Sequence, residues 1–193
     1  MIPESATHPH HPDERAELFS AHDSGSIEVE NGELLTALVR AWKPEVILET
    51  GTYRGVGARY LAEGCIANGF GRVVTLECVP RLAEKARAEL AGLPVEVICV
   101  ESVPWLREYD GPPFHFAFLD SALEARVSEL RLLRDRRLLD GIAFVHDTSR
   151  LRAAGGMPDH PRFPADLDEL GMGGIECPWS RGWRMFQMHA EAP

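Results

Sequence analysis

Residues 46–57 read VILETGTYRGVG, and the fold of the chain follows from this segment. The apolar run at 46–49 predicts a short buried strand, and a helical pattern follows the segment. Between them stand Gly51, Gly55 and Gly57. Glycine lets the backbone turn tightly, and the N–H groups at a helix start are free to bind a ligand. The segment therefore predicts a strand, a glycine loop and a helix that together form a ligand-binding edge.

The same alternation of strands and helices continues on both sides of this segment. A helical pattern that begins at Asn31 precedes it and stops before Pro44. The later strands are predicted at 72–77, 95–100, 114–120 and 141–147, and the helices between them at 80–91, 102–109 and 122–139. Five nearly continuous apolar strands separated by helices predict an α/β, Rossmann-like fold, with a mainly parallel sheet covered by helices on both faces.

The two ends of the chain differ from this repeating part. Residues 1–26 are polar and contain prolines and closely spaced histidines, a composition that predicts a flexible N-terminal arm. After Arg150, a segment rich in glycine and proline leads to a short helical pattern and two strand-like runs, at 174–177 and 184–189. We therefore expect residues 27–193 to form a single domain that closes with a β-hairpin.

The composition restricts the class of protein and its partners. The 193 residues are 45% hydrophobic and carry a formal net charge of −10, which is typical of a globular domain and unfavourable for binding a phosphate backbone. No apolar run in the sequence is long enough to cross a membrane, and the four cysteines lack metal-site spacing, which predicts reduced, buried thiols. These features predict a cytoplasmic protein that acts on a small molecule and binds neither nucleic acid nor membrane.

An acidic residue stands near the end of each of five predicted strands: Glu49, Glu77, Glu101, Asp120 and Asp147. In an open parallel sheet the ligand crevice lies beyond the carboxyl ends of the strands, so we expect these side chains to meet there. Glu77 is placed to accept both hydroxyl groups of a ribose. Glu101 is placed to accept an adenine amino group, whereas Ser102 either contacts the ligand or caps the following helix.

Five motifs in a fixed order carry a family resemblance. They are residues 48–55, 75–77, 100–102, 118–120, and 138–141 with His146-Asp147. Together they resemble the successive motifs of class I S-adenosylmethionine-dependent methyltransferases, and most closely small-molecule O-methyltransferases whose fifth strand ends in His-Asp. The resemblance covers residues 31–149. It implies a seven-stranded sheet with an antiparallel last strand, and S-adenosylmethionine as the cofactor.

The resemblance also implies how this cofactor is held. The segment 27–35 corresponds to a lid-like stretch that covers the cofactor in related enzymes. Seven residues are implied to bind the cofactor: Glu49, Gly51 and Tyr53 at its methionine end, Gly55 in the same loop, Glu77 at the ribose, and Glu101 with Ser102 at the adenine.

Asp120, Asp147 and His146 are predicted to act on the methyl acceptor. Neighbouring strands lie about 4.8 Å apart, so the two carboxylates either share a divalent cation such as Mg²⁺ or share a proton with the acceptor hydroxyl. In metal-dependent relatives an Asn ligand usually stands at the position of Thr148, and catechol-type relatives have a Lys at the position of Leu123. His146 is either a general base or, because side chains alternate along a strand, faces away from the site.

The sequence thus predicts an S-adenosylmethionine-dependent methyltransferase that acts on a hydroxyl group of a small molecule, with or without a divalent metal. One alternative is an NAD(P)-dependent Rossmann oxidoreductase, although the glycines lack the G-x-G-x-x-G spacing of a pyrophosphate site. Another is a cofactor-binding module without catalytic activity, or a divergent relative that resembles metal-dependent oxygenases, in which the His-Asp strand end also occurs. The charged residues of helix 122–139 are predicted to face solvent. Trp179, Arg181 and Trp183 are predicted to form a polar hairpin with aromatic side chains that packs in the core, on substrate, or on a second subunit of a homodimer.

Overall fold

The computed structural model describes residues 4–5, 19–23, 25–150 and 162–189. The large sheet contains β3 (Val46–Thr50), β4 (Arg72–Glu77), β5 (Val95–Cys99), β6 (Phe114–Leu119), β7 (Leu139–His146), β8 (Gly174–Cys177) and β9 (Trp183–Met188). Two further short strands, β1 (Glu4–Ser5) and β2 (Ser20–Ala21), pair with each other. The helices of the described ranges are α1 (Val29–Trp42), α2 (Val56–Asn68), α3 (Pro80–Glu89), α4 (Ser102–Glu108), α5 (Leu123–Asp135) and α6 (Phe163–Asp168).

The large sheet has the strand order β5-β4-β3-β6-β7-β9-β8. Strands β3 to β7 are parallel, whereas β9 runs antiparallel to both of its neighbours. The prediction of a mainly parallel, seven-stranded, Rossmann-like sheet with an antiparallel last strand is confirmed. The chain moves outward from β3 to β5 and then returns to place β6 on the other side of β3. The strand order therefore reverses between β3 and β6, where a ligand crevice is expected.

Helices cover both faces of the sheet because the buried strands carry apolar side chains in both directions. In β6, Phe116 and Phe118 belong to the core beneath α1 and α2, whereas Ala117 and Leu119 belong to the core beneath α4, α5 and α6. Burying one such phenylalanine contributes roughly 1.5–3 kcal/mol. Slipping the strand by one residue would exchange the two sets, so this packing fixes the register of the strand ends.

The boundary between α5 and β7 differs from the prediction of a helix at 122–139 and a strand at 141–147. Helix α5 ends at Asp135, and β7 already begins at Leu139. Arg137 has a left-handed φ of 55°, which interrupts the helix. The carbonyl of Leu138 accepts a hydrogen bond from the N–H of Phe114 at 2.8 Å. The chain at this point therefore pairs with β6 instead of continuing the helix.

The predicted N-terminal arm, residues 1–26, lies largely outside the described residues. In its described part, Ala21 forms a β-bridge with Glu28. The Asp23 carboxylate accepts hydrogen bonds from the N–H groups of Gly25 and Ser26, at 2.9 and 2.8 Å. Ser26 is buried. The packed part of the chain therefore begins before residue 27.

The structure also bears on the membrane and cysteine predictions. None of the described helices combines the length and the apolar composition that a membrane span needs. All four cysteines are free, and Cys65 is buried. Cys78 and Cys99 are exposed because they lie at the carboxyl ends of β4 and β5, at the rim of the sheet. The prediction of buried thiols is therefore wrong for these two residues.

Candidate active site

A cavity of about 480 Å³ opens at the carboxyl ends of the central parallel strands. Leu76, Leu82 and Val100 give it an apolar wall. It is also lined by six of the residues that the sequence singled out: Gly51, Tyr53, Glu77, Glu101, Ser102 and Asp120. Four others are not part of this lining: Glu49, Gly55, His146 and Asp147. Most of the predicted cofactor residues are thus in one cavity, at the point where the strand order reverses.

Two glycines of the loop after β3 have different roles. Gly51 has a φ of +86°, and a Cβ there would overlap the backbone of Asp120, so only glycine fits. Its N–H donates to the carbonyl of Leu76 at 2.9 Å, which ties the loop to β4. Gly55 precedes α2 with a φ of +80° and lies against Leu90, away from the cavity. The prediction that Gly55 contacts the cofactor therefore disagrees with its position.

The carboxylate of Glu77 is held by two backbone groups at the end of β4. Its Oε2 accepts a hydrogen bond from the N–H of Tyr53 at 2.8 Å, and its Oε1 accepts one from the N–H of Val79 at 2.9 Å. The side chain is buried, yet it lines the cavity. Each carboxylate oxygen has a second lone pair, so a ligand with two adjacent hydroxyl groups can still donate to Glu77.

A segment just before α1 covers one end of the cavity. Gly25 lines the cavity and lies against the ring of Tyr53. The neighbouring Asp23 forms an ion pair with Arg54 of the glycine loop at 3.3 Å. The predicted lid, residues 27–35, does not line the cavity, because Ile27 belongs to the core and α1 already begins at Val29. The covering residues lie slightly closer to the N-terminus.

Glu49 lies beneath the glycine loop rather than in the cavity. It is 1% exposed, it accepts a hydrogen bond from the hydroxyl of Thr75, and it leaves no space for a Cβ on Gly57. Burial, with smaller contributions from the negative charges of Asp120 and Glu77, raises the pKa of Glu49 to about 8, against the Thr75 hydrogen bond. Glu49 is therefore mostly a neutral acid at pH 7, which supports the loop instead of contacting the methionine end of a cofactor.

Glu129 of α5 is fully buried beneath the cavity. Its carboxylate accepts hydrogen bonds from the hydroxyl groups of Thr50 at 2.9 Å, Ser121 at 2.7 Å, and Ser102. Burial raises the pKa of Glu129 in spite of these hydrogen bonds. Ser102 and Ser121 line the cavity, so Glu129 joins two of its walls to the end of β3.

His146 lies behind Asp120 and is fully buried. Its Nδ1 is 3.1 Å from Asp120 Oδ1, and its Nε2 is 2.8 Å from Glu28 Oε2. Both ring nitrogens are therefore within hydrogen-bond distance of a carboxylate oxygen. Such a ring has no free nitrogen with which to take a proton from a substrate. The prediction of His146 as a general base therefore disagrees with the geometry.

Asp147 joins the same cluster because its backbone leaves the strand geometry. Its φ is +61°, which breaks the alternation of side chains after His146. Arg181 donates to both carboxylate oxygens, from Nε to Oδ1 at 2.7 Å and from Nη2 to Oδ2 at 2.9 Å. Arg126 donates from Nη1 to Oδ2 at 3.0 Å, and from Nη2 to Asp120 Oδ1 at 3.0 Å. Asp147 is therefore a buried ion-pair partner, which contradicts its predicted contact with the acceptor.

These positive groups decide the protonation of the nearby acids. Burial raises the pKa of Glu28, but His146, Arg181 and the hydroxyl of Ser180 together hold it well below its ordinary value. Burial likewise raises the pKa of Asp120, but His146 and Arg126 outweigh it, and the pKa is lowered. Both side chains are therefore carboxylates at neutral pH.

The donor set does not fit Mg²⁺ as the sequence predicted. Asp120, His146 and Asp147 each offer an atom within 4.8 Å of the others. However, both oxygens of Asp147 already accept hydrogen bonds from Arg181, and Arg126 binds both aspartates. Mg²⁺ requires free oxygen ligands in octahedral geometry, and two buried guanidinium groups repel it. The metal assignment of Asp120 and Asp147 therefore disagrees with this arrangement.

Sequence reasoning missed four residues of the site. The prediction that the charged residues of α5 face solvent is wrong for Arg126 and Glu129, which are 4% and 0% exposed. Arg126 precedes the buried Leu130 by one helical turn, so the helical spacing places Arg126 on the apolar face of α5 and could have indicated that it is buried. Glu28 and Arg181 gave no comparable signal, because they come from opposite ends of the domain.

Comparisons with known proteins agree with this architecture. A family profile described as "Methyltransferase domain" matches residues 48–148, more than half of the chain. A curated catechol O-methyltransferase from Mycobacterium tuberculosis (strain ATCC 25618 / H37Rv) is 36% identical over 110 residues, which are 55% of this chain and 49% of that protein. The chain thus spans about half the length of this curated relative.

Two solved structures resemble most of the chain. The cofactor-bound Rv0187 from MTB is 27% identical, with a TM-score of 0.72, over 86% of this chain and 83% of that one. The O-methyltransferase TomG from Streptomyces achromogenes, solved in complex with SAM, is 23% identical, with a TM-score of 0.65, over 86% of this chain and 82% of that one. At this identity the second likeness concerns the fold alone.

Proposed function

The chain belongs to the methyltransferase family that matches residues 48–148, and from this premise we propose that it transfers a methyl group from S-adenosylmethionine to a hydroxyl group of a small molecule. The observation that carries the proposal is the cavity at the carboxyl ends of the parallel strands, with the Glu77 carboxylate held in its wall by two backbone N–H groups. This position suits a ribose whose two hydroxyl groups donate to one carboxylate.

The rest of the cavity supports the same placement of the cofactor. We propose that Gly51 and Tyr53 contact its methionine end, beneath the covering Gly25. On the other side of Glu77, Glu101 and Ser102 are proposed to lie beside the adenine. The apolar side chains of the wall suit the faces of a purine ring. The order of these residues along the strand ends follows the order of the parts of S-adenosylmethionine.

Asp120 is the proposed contact with the methyl acceptor. It lines the cavity, and among the described residues only its Oδ1 is hydrogen-bonded, which leaves Oδ2 for a ligand. Bound S-adenosylmethionine supplies a methyl group on a positively charged sulfur. In the transfer that this arrangement would support, the acceptor oxygen would bond to the methyl carbon, the carbon–sulfur bond would break with its electron pair going to sulfur, and Asp120 would take the hydroxyl proton. Asp120 also orients the hydroxyl for in-line attack.

Calorimetric titration with S-adenosylmethionine, S-adenosylhomocysteine and NAD tests the cofactor. We expect the first two to bind and NAD not to bind. Glu77→Gln should weaken binding of S-adenosylmethionine at least tenfold, because a hydrogen bond to a charged group is worth roughly 1.5–3 kcal/mol. Glu84→Gln, an exposed position on α3, is the matched control and should bind normally.

Transfer of a labelled methyl group to a panel of hydroxylated small molecules, including catechols, tests the reaction. The catechols are included because of the name of the curated relative. Preferential binding of NAD would favour the oxidoreductase alternative instead. Cofactor binding without transfer to any hydroxyl in the panel would favour a binding module without catalytic activity.

A further inference from the structure

We infer that Arg126 and Arg181 neutralise the strand-end carboxylates in place of a divalent cation, so that Asp120 receives the proton of the acceptor hydroxyl without a metal. This inference rests on the proposed methyl transfer and specifies how the acceptor end of the site works. It is carried by the hydrogen bonds, the charge balance and the backbone anchoring of the buried cluster around His146.

The hydrogen bonds leave Asp147 no role as a metal ligand. The planar guanidinium of Arg181 contacts both of its oxygens, which is the bidentate geometry that arginine forms with a carboxylate. Arg126 adds a third contact to the same group. The side chains of all three residues are less than 10% exposed. A cation could bind Asp147 only by displacing a guanidinium within a closed, water-poor space.

The buried cluster already holds as many basic as acidic side chains. The three carboxylates of Glu28, Asp120 and Asp147 face the guanidinium groups of Arg126 and Arg181 and the imidazole of His146, which bridges two of the carboxylates. A divalent cation would add two positive charges to this set, which is unfavourable where little water is present to solvate them.

Backbone carbonyl groups from separate segments hold both guanidinium groups in place. Arg126 donates from Nε to the carbonyl of Ser121 and from Nη1 to the carbonyl of His146, both at 2.7 Å. Arg181 donates from Nη1 to the carbonyl of Ser26 at 2.8 Å. These bonds are lost if either side chain swings away. The positions of both arginines are therefore fixed by backbone hydrogen bonds as well as by the carboxylates.

In this arrangement the part of the cluster at the cavity, Asp120, has a different task from the buried part that contains Arg181 and Asp147. Asp120 lines the cavity, and its Oδ2, which carries no hydrogen bond among the described residues, takes the hydroxyl proton as the methyl group is transferred. Arg126 and the ring of His146 both contact Oδ1, and they fix the orientation of the carboxylate. Arg181 and Asp147 do not line the cavity and act as positioning residues. The positive charge that a divalent cation would otherwise supply beside Asp120 thus comes from arginine side chains of the chain itself.

Titration with Mn²⁺, followed by electron paramagnetic resonance of the free ion, tests the inference on the full chain with S-adenosylhomocysteine bound. We expect no saturable site tighter than about 1 mM in the natural chain, the weak limit of protein sites for such cations. Methyl transfer should be unchanged by EDTA. A micromolar Mn²⁺ site that disappears in Asp147→Asn, or turnover that needs Mg²⁺ after EDTA treatment, would overturn the inference.

Replacing one guanidinium supplies a second test. Arg181→Met should allow Mn²⁺ to bind at least tenfold more tightly than in the natural chain, because it removes one positive charge and two of the hydrogen bonds that hold the carboxylate of Asp147. Arg131→Met, at an exposed position of α5, is the matched control and should leave Mn²⁺ binding unchanged. If Arg181→Met does not fold, the titration and the EDTA assay of the natural chain decide the matter. Failure of S-adenosylhomocysteine to bind the natural chain would instead contradict the proposed function itself.

Discussion

Replacing Glu49 by Gln should change how the stability of the protein depends on pH. The pKa of Glu49 is raised from 4.5 to about 8, chiefly by burial, so the folded chain holds one proton more than the unfolded chain between these values. The stabilisation from this proton is complete below about pH 4.5 and is lost as the pH rises through about 8. The glutamine variant has no such proton, and its amide oxygen still accepts the hydrogen bond from Thr75.

The size of the effect follows from the pKa shift. One extra bound proton changes the free energy of unfolding by about 1.36 kcal/mol per pH unit. Between pH 5.5 and 7.5 the natural chain should therefore lose roughly 2.5 kcal/mol more stability than Glu49→Gln, slightly less than the full slope because Glu49 begins to lose its proton near pH 7.5. Chemical denaturation of both chains at the two pH values measures this difference, because the other titrating groups cancel.

Glu84→Gln is the control for this experiment, because Glu84 is exposed on α3. Its stability should change with pH as that of the natural chain does. If Glu49→Gln also gave a parallel pH dependence, Glu49 would be ionised in the folded protein, and the account of a neutral acid beneath the glycine loop would be refuted.

Two further substitutions test the walls of the cavity. Glu129→Gln should raise the KM for S-adenosylmethionine about fivefold, with little change in kcat, because the loss of one hydrogen bond of about 1 kcal/mol loosens Ser102 or Ser121. Glu124→Gln, exposed on the same helix, is its control, and an equal rise in that variant would contradict the role of Glu129. Gly51→Ala should destabilise the fold by about 2 kcal/mol or more, since it combines a left-handed φ with overlap of the Asp120 backbone. Gly69→Ala shares the left-handed φ, but nothing lies within 4 Å of its Cβ position, so thermal unfolding should show a smaller loss, and equal losses would refute the overlap.

The fold was predictable because its signals are local. The apolar runs of β3 to β7 and the glycine loop at Gly51 each indicate their conformation from neighbouring residues alone. An alternation of strands and helices is compatible with few topologies. Glu77 was predictable for the same reason, because the end of a strand fixes its position on the crevice edge. The predicted ribose contact of Glu77 stays a prediction until the cofactor titrations.

The chemistry of the buried cluster was not predictable in this way. Asp147 was assigned to a metal because it ends a strand beside that of Asp120. The contacts of Asp147 with Arg126 and Arg181 were not predictable, because these arginines come from a helix and a turn remote in the sequence. Arg126 was assigned to solvent because a charged helix usually exposes its charges, and here tertiary ion pairs override that tendency.

The predictions for Trp183, for the location of the protein and for its partners have little or no structural evidence. Trp183 lies beside Phe144, with ring centroids 5.2 Å apart, which agrees with the core alternative for this residue. The cytoplasmic location, the homodimer alternative and the absence of nucleic-acid partners stay predictions.

The contact between Glu28 and the turn after β8 has a consequence for the order in which the protein is assembled. Glu28 accepts hydrogen bonds from the hydroxyl of Ser180 and the N–H of Arg181, which lie 152 and 153 positions further along the chain. A ribosome must complete nearly the whole domain before these partners meet. The parallel strands can pair earlier, and Arg126 can already contact Asp120 and Asp147, but the bidentate contact of Asp147 forms only when Arg181 emerges. The reaction centre is therefore completed last, and a chain that stops short of this turn contains most of the sheet without a finished centre.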